Sequence, residues 1–319
     1  MAETVGTVAS VVTTRFDTSS GKDLLKDGVI RKLFDSTTGK IEVFYKALVN
    51  NLKTNDEWVK DQRMAGLEEA AEISEGQNIP IFGPSLGGTV TYTQRQWGAG
   101  VRMTHRMQKF NRIDLWQKLV KQLARIQSYS KDVEVHLMFN NPTATTYSYN
   151  KGFDTVALGS ATHTGLLTGA TTDNFDNYVN ASMSVAAVED MRYYFTTKLS
   201  DMGQYMGLKL DTVVYNPNLH PTARQIFASD YVPFEESNTI NVIPEWKVKL
   251  IEDPLITSTT MWFGLNKGSD MYDINVFTSQ EPDLEIVDAP DFTRDRVATS
   301  LQYFTYGYGY AGGYCLGKT

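Results

Sequence analysis

Residues 111–140 read NRIDLWQKLVKQLARIQSYSKDVEVHLMFN. Apolar residues fall at Ile113, Trp116, Leu119, Val120, Leu123, Ile126, Val133 and Leu137. That three-and-four spacing marks one buried stripe on an α-helix. Asn111 is placed to cap the helix, and Asp114 suits its positive end. Asn140-Asn141-Pro142 stops it, because proline disfavours helical backbone at the residue before it. At 1.5 Å per residue the element is about 45 Å long, whereas an ordinary helix has about 11–12 residues. Sustained heptads are missing, which argues against a coiled coil. A long helix with a single stripe suggests a spine against which a sheet packs. It also fits a core helix of any large domain, so the flanking sequence decides.

The 319 residues hold about two domains' worth of core. Apolar residues make up 41% and charged residues 21%, the balance of a soluble globular protein. The net charge of −7 argues against a dedicated nucleic-acid binder, which would carry a basic patch. Cys315 is the single cysteine, so an intrachain disulfide is impossible and packing alone holds the fold. No apolar run of membrane-spanning length occurs. The first residues, MAETVGTVASVVTT, lack the basic start of a secretory signal. Repeats of solenoid period are not found.

Before the spine helix the chain looks poor in core. Residues 1–57 read as an arm. Val5 to Val12 is too short for a core, and Ser19-Ser20-Gly21 and Ser36-Thr37-Thr38-Gly39 are loop chemistry. Leu24, Leu25, Val29, Ile30 and Leu33 could line one side of a short helix interrupted by Gly28, and residues 41–52 could form a second. Such faces must dock on the same chain or on a neighbour, the same chain being the commoner outcome. Residues 58–106 read WVKDQRMAGLEEAAEISEGQNIPIFGPSLGGTVTYTQRQWGAGVRMTHR. Val90 to Thr93 and Val101 to Thr104 alternate, which predicts strands on both sides of Trp97-Gly98. Ile79 to Gly88, rich in Gly, Pro and Ser, marks the far end of a hairpin. An isolated two-stranded hairpin is marginal in water, so this one needs another surface.

This order of parts, an arm, a hairpin reading GLEEAAEISEG…GTVTYTQRQWGAGVRMT and then a long helix, resembles the major capsid proteins of tailed bacteriophages. The resemblance implies an α+β architecture, the Hong Kong 97-type capsid fold. Its parts would be an N-terminal arm at residues 1–57, an E-loop at 58–106, a P-domain spine helix at 107–146, an A-domain at 147–268 and P-domain return strands at 269–319. The rest of the chain fits that order. Residues 147–177 are loop-like. Ser184 can cap a helix with Val185, Val188, Met191, Tyr194, Phe195 and Leu199 at helical spacing, after which Gly203 and Gly207 break the chain. LDTVVYNPNLHPTARQIFAS, a strand at 208–215 and a helix at 219–228, looks like the A-domain of that family. Residues 246–251 and 259–265 read as further strands. Residues 271–287 and 297–307 read as strands returning to the spine helix, with Leu301 to Tyr306 the last of them.

The resemblance implies assembly, not chemistry: hexamers and pentamers tiling an icosahedral shell, built in the host cytoplasm and located in the virion capsid. Candidate intersubunit contacts are Arg63, Glu69, Glu72, Phe82, Arg95, Trp97 and Arg102. Glu68, Glu69, Glu72 and Glu75 could pair with arginines across subunits or bind a cation, although a solvated face is the commoner outcome. The resemblance also implies a portal, a scaffolding protein and a cement or decoration protein as partners. Double-stranded DNA would be held weakly, as the acidic balance suits. Some members of the family crosslink subunits through an E-loop lysine. No lysine stands between Lys60 and Lys109, so noncovalent strengthening is expected. The arm starts at Met1 with no long charged extension, which points to a separate scaffold.

Several catalytic look-alikes carry less. Gly83-Pro84-Ser85-Leu86-Gly87 has the nucleophile pattern, but a β-like run follows where a helix is required. Gly307, Gly309 and Gly312 have dinucleotide spacing with too little chain after them for a binding unit, so a close-packed strand is expected. His105, His136, His163 and His220 lack metal-site spacing. Cys315 has no base near it in sequence and reads as a buried structural thiol. Expected cofactors, metals and catalytic residues are therefore none, and no membrane partner is expected. An encapsulin-type compartment, a tail or portal component and a hydrolase using Ser85 are the alternatives.

Overall fold

The computed structural model describes residues 27–64, 66–67, 69–83, 86–110, 112–147, 149–165, 174–233, 239–288 and 295–318. The expectations for residues 1–26, for the Asn111 cap, and for Glu68 and Ser85 lie outside these. The first half of the chain forms α1 (Asp27–Thr38), α2 (Tyr45–Leu48), β1 (Asn50–Lys53), β2 (Trp58–Met64), β3 (Leu86–Thr93), β4 (Arg95–Met103), α3 (His105–Lys109) and α4 (Ile113–Asn140). The second half forms β5 (Tyr178–Val179), α5 (Val185–Thr197), β6 (Thr212–Tyr215), α6 (His220–Ala228), β7 (Lys249–Glu252), β8 (Trp262–Leu265), β9 (Ile274–Asp288), β10 (Arg296–Tyr308) and β11 (Tyr314–Gly317). Among the described residues two compact units result: those up to 43 with those of 96–130 and 280–303, and those of 44–95, 131–279 and 304–318. The spine helix α4 and the long strands β9 and β10 contribute to both.

In the first unit the stripe on α4 is buried at Ile113, Trp116, Val120, Leu123 and Ala124. It packs with Ile30 and Phe34 of α1, Met103 of β4, Leu284 of β9 and Ala298 of β10. Each large side chain buried this way contributes about 1.5–3 kcal/mol. The arm helix is thus docked on its own chain, through Phe34 rather than the expected Val29, which is exposed. The stripe then departs from expectation. Ile126 is 53% exposed, and the buried position one residue on is Gln127. Four residues from Leu123 keeps the helical spacing, and Gln127 is tolerated inside because its amide is satisfied. Its Nε2 donates to the Ser300 carbonyl at 2.7 Å, while Gln302 Nε2 donates to its Oε1 at 2.9 Å.

In the second unit α4 buries Val135, Met138 and Phe139, and Phe139 stacks on Phe263 of β8 at 5.2 Å. Three charged side chains share this stretch: Lys131, Asp132 and His136 are all buried. Asp132 accepts from the backbone N–H groups of Phe44 and Tyr45, at 2.9 and 2.8 Å, and so caps α2. His136 touches acceptors with both ring nitrogens, the Asp132 carbonyl at 2.6 Å and the Asp253 carboxylate at 2.7 Å. Burial opposes a charged imidazole, but the bonds to Asp132 and Asp253 outweigh it and raise its pKa to about 9. The histidine is a packed one, as expected.

A five-stranded sheet of order β5–β11–β8–β6–β7 carries a core of this unit. Val188, Met191 and Phe195 of α5 and Ala223 and Ile226 of α6 pack with Val213, Trp262 and Cys315 of the sheet. Ser184 caps α5 by accepting from the Ala187 N–H at 3.2 Å, and Gly203 and Gly207 take positive φ just beyond the helix. The expected last strand is not the last. After β10 the chain turns, and β11 runs antiparallel to β8 instead of extending β10. The strand expected at 246–251 starts later, as β7, because Trp246 closes a 3-10 turn over Ile243–Trp246 and Lys247 takes positive φ. Residues 41–52 hold a single helical turn and then β1, which pairs parallel with β9.

A four-stranded sheet has the order β1–β9–β10–β4. It corrects the reading of residues 90–104. Trp97-Gly98 is not a turn but lies inside β4, and the break falls at Gln94. The two strands approach closely there: a Cβ at Gly98 would meet the end of the Leu301 side chain of β10 at 2.7 Å, which would have to shift. The hairpin partner of β3 is instead β2, with Val59 opposite Tyr92 and Asp61 opposite Val90.

Candidate assembly surface

The β2–β3 ribbon is rooted on its own unit. Successive side chains of a strand point to opposite faces, so Val59, Asp61 and Arg63 share the inner face with Val90 and Tyr92. Tyr92 is fully buried and meets Phe277 at 4.8 Å, with Val90, Val59 and Phe153 around the pair. Arg63 donates from Nη1 to the Asp270 carbonyl at 2.8 Å, and its guanidinium lies 4.6 Å from the Tyr310 ring centroid. Between them sits the half-buried carboxyl of Asp273. Burial first, and then the neighbouring Asp61 charge, push Asp273 up to about 6. The same burial, with Asp273 and Asp61 nearby, raises the Tyr92 phenol well above its ordinary value. A cavity of about 630 Å³ opens beside this root, lined by Val59, Asp61, Asp273 and Phe277 among others.

Past β2 the support ends. Leu67 still touches the body, its carbonyl accepting from Gln204 Nε2 at 3.4 Å. Among the described residues beyond it, up to Gly83, only Phe82 is half-buried and the rest are exposed. The tip turns at residues 74–77, where the Gln77 N–H donates to the Ser74 carbonyl at 3.0 Å and Gly76 takes positive φ. The exposed residues are not those of a solvated loop: Ile79 is 74% and Ile81 is 95% exposed, with Ile73 and Leu67 beside them. Apolar side chains concentrated on one unsupported segment mark a contact surface.

The sequence profile of the phage capsid protein family matches residues 88–316, well over half of the chain. The chain belongs to that family. Solved structures agree in fold. A chain of the bacteriophage PhiM1 mature capsid shares 12% identity and a TM-score of 0.57, with 87% of each chain covered. The capsid of an empty GTA particle gives 9% identity and a TM-score of 0.57, over 86% of this chain and 88% of that one. A chain from Mycobacterium phage Adephagia gives 11% identity and a TM-score of 0.52, over 100% of this chain and 98% of that one. No curated protein matches the sequence. The fold is therefore the Hong Kong 97-type capsid fold, and the protein is a major capsid protein that assembles with its own copies into the shell of the virion. It belongs to a family of structural proteins, not of enzymes, and the encapsulin reading is not favoured.

The family profile begins inside β3, so most of this capsid protein's ribbon lies outside the matched span. The structure divides the seven residues singled out from sequence. Arg63 is engaged at the ribbon root. Arg102 Nε donates to Asp295 at 2.7 Å, and that carboxylate also accepts from the His105 N–H at 2.6 Å. Arg95 and Trp97 are half-buried in β4, away from the tip in sequence. Glu69 and Glu72 are exposed on the unsupported segment, with half-buried Phe82 near its end. Sequence reading passed over Ile73, Ile79 and Ile81, although isoleucines spaced among glutamates and glycines with no helix or strand period were a usable signal.

Other motifs resolve into packing. Gly307 and Gly309 leave no room for a side chain, against Asn150 and Asp273 respectively, and a Cβ at Gly313 would meet Tyr272 at 2.8 Å. His163 bonds Asp154 at 2.7 Å and His220 lies 3.1 Å from Glu252. Cys315 is fully buried, which pushes its thiol up. Among the described residues, no group of three or more His, Cys, Asp or Glu could hold a metal ion, and no helix is long and apolar enough to cross a membrane.

Proposed function

We propose that copies of this capsid protein form hexamers and pentamers that close an icosahedral shell around double-stranded DNA, with each ribbon lying over a neighbouring copy. The ribbon carries this reading: its root is bound by its own chain, while Ile79 and Ile81 stand in solvent. Heterologous contacts whose rotation closes make rings, and many modest contacts per subunit add as a multivalent set. In this reading residues 58–94 are the E-loop, and β4 passes to the P-domain with α4, β9 and β10. The A-domain is the five-stranded sheet with α5 and α6, extended to include β11. The net charge of −7 suits a container that holds DNA weakly. The reading assigns assembly to the host cytoplasm, with a separate scaffolding protein and a portal. The absence of lysine from Asp61 to Gln108 favours a cement protein over covalent crosslinks.

Negative-stain microscopy of the purified protein tests the reading. Closed shells with pentameric and hexameric units are expected. Monomers that persist at high concentration, or simple rings, contradict it. Intact mass measured on purified particles should match single chains, and a ladder of multiples would refute the noncovalent shell.

A further inference from the structure

Two nearby stretches of this chain carry opposite charge. From Met64 to Gln94 there are four glutamates, Glu68, Glu69, Glu72 and Glu75, and no lysine or arginine. From Arg102 to Arg112 there are Arg102, Arg106, Lys109 and Arg112, and no carboxylate. Of the glutamates, Glu69, Glu72 and Glu75 stand exposed on the ribbon tip. In the basic stretch, Thr104 caps α3 by accepting from the Met107 N–H at 3.3 Å, and the chain then folds back so that the Arg112 N–H donates to the Met107 carbonyl at 2.9 Å. The result is a cup of about 420 Å³ lined by Thr104, Arg106, Met107, Phe110 and Arg112.

The cup has the chemistry of an unfilled socket. Phe110 is 63% exposed, with the Arg106 guanidinium 5.9 Å from its ring centroid. Among the described residues no carboxylate pairs with Arg106, Lys109 or Arg112, and no cation pairs with Glu69, Glu72 or Glu75. Exposed isoleucines beside the glutamates and an exposed aromatic beside the arginines give the two surfaces matching apolar parts as well as matching charge. Complementary charge steers association and fixes register more than it adds affinity, and apolar burial supplies the binding.

We propose that the acidic, isoleucine-bearing tip of one ribbon seats in the cationic cup of a second copy, with Glu69, Glu72 and Glu75 facing Arg106, Lys109 and Arg112 and an isoleucine covering Phe110. This rests on the reading that the ribbon lies over a neighbour, and it names what the ribbon meets there. A loop of residues 65–85 can reach about 35 Å from its root when drawn out, enough to cross onto an adjoining subunit. Every copy carries both tip and cup, so one contact repeats around a ring.

Charge exchange tests the pairing. Arg106→Glu with Arg112→Glu should abolish closed shells in negative stain, and so should Glu69→Arg with Glu72→Arg. A chain carrying all four substitutions should regain shells, which a chain that merely fails to fold cannot do. In a second measurement, Glu72→Cys chains are mixed with Phe110→Cys chains and oxidised, and a band of twice the chain mass is expected. Shells that form normally from either reversal, or four substitutions without rescue, overturn the proposal. So do intact shells that retain less DNA when the cup is reversed, because the cup would then be a phosphate site. Wild-type protein that forms no shells overturns the parent reading and this one with it; unaffected reversals overturn this one alone.

Discussion

Tyr92 and Ile81 belong to one ribbon and have opposite fates. Tyr92 is fully buried against Phe277, with its own chain around it, while Ile81 is 95% exposed. The difference comes from what lies beneath. At the root, Val59, Val90 and Arg63 each meet a partner on the same body. At the tip, the sequence supplies isoleucines and glutamates but the chain supplies no surface. In the proposed reading the root is therefore a problem of folding and the tip a problem of assembly. Subunit stability should respond to substitutions in the body and at the root and ignore those at the tip.

The largest effect belongs to the body. Trp116→Ala removes a buried indole from the α4 stripe and should cost about 3–5 kcal/mol in chemical denaturation of the subunit. A cost near zero would mean the stripe is not a core. Next comes His136→Ala, which leaves Asp132 and Asp253 buried without their shared cation and should cost about 3 kcal/mol. The wild type should show the linked pH dependence. The folded pKa of about 9 stands above the ordinary value of 6.5, so this stabilisation is complete below about pH 6.5 and is lost as pH rises through 9. A flat denaturation profile from pH 6 to 9 would count against a charged His136.

A smaller effect is expected at the root. Asp273 titrates near 6, above the 3.8 of an ordinary carboxyl, because it is buried and because Asp61 is close. Its neutral form is the one the fold favours. The contribution is complete below about pH 3.8 and fades as pH rises through 6. Asp61→Asn should therefore stabilise the subunit by about 1 kcal/mol at pH 8 and hardly at all at pH 4. Equal effects at both pH values would show that the two carboxyls do not interact. The smallest effect is at the tip: Ile81→Ser should change subunit stability by less than about 0.5 kcal/mol. Sedimentation of the same variant should show fewer closed shells, and normal assembly would remove Ile81 from the contact.

The contrast between root and tip also explains what the sequence made legible. The spine helix, the Ser184 cap and the strand at 297–307 are local signals, and each survives in the structure. What failed depended on distant partners. β2 escaped notice because its inner face holds Val59, Asp61 and Arg63, and the last two are tolerated only because Asp273, Asp270 and Tyr310 surround them. Trp97-Gly98 read as a break between two strands, yet β4 runs through it with the Leu301 side chain lying where a Cβ of Gly98 would stand. Gln127 replaced Ile126 in the stripe because Ser300 and Gln302 satisfy its amide. Arg63 and Arg102, singled out as contacts to a neighbour, also bond Asp270 and Asp295 of their own chain, partners that their sequence neighbourhoods do not reveal. The tip glutamates had no such partners to hide them, so Glu69 and Glu72 were visible in the chain itself.

Hydrogen exchange on residues 69–83, compared between free subunits and assembled shells, tests the division of the ribbon most directly. Tip amides should exchange rapidly in the subunit and become protected in shells, while root amides such as those of Thr91 and Tyr92 stay protected in both. Tip amides that exchange equally fast in both states would show that no second copy covers them, and the account of the ribbon as an assembly contact would be wrong.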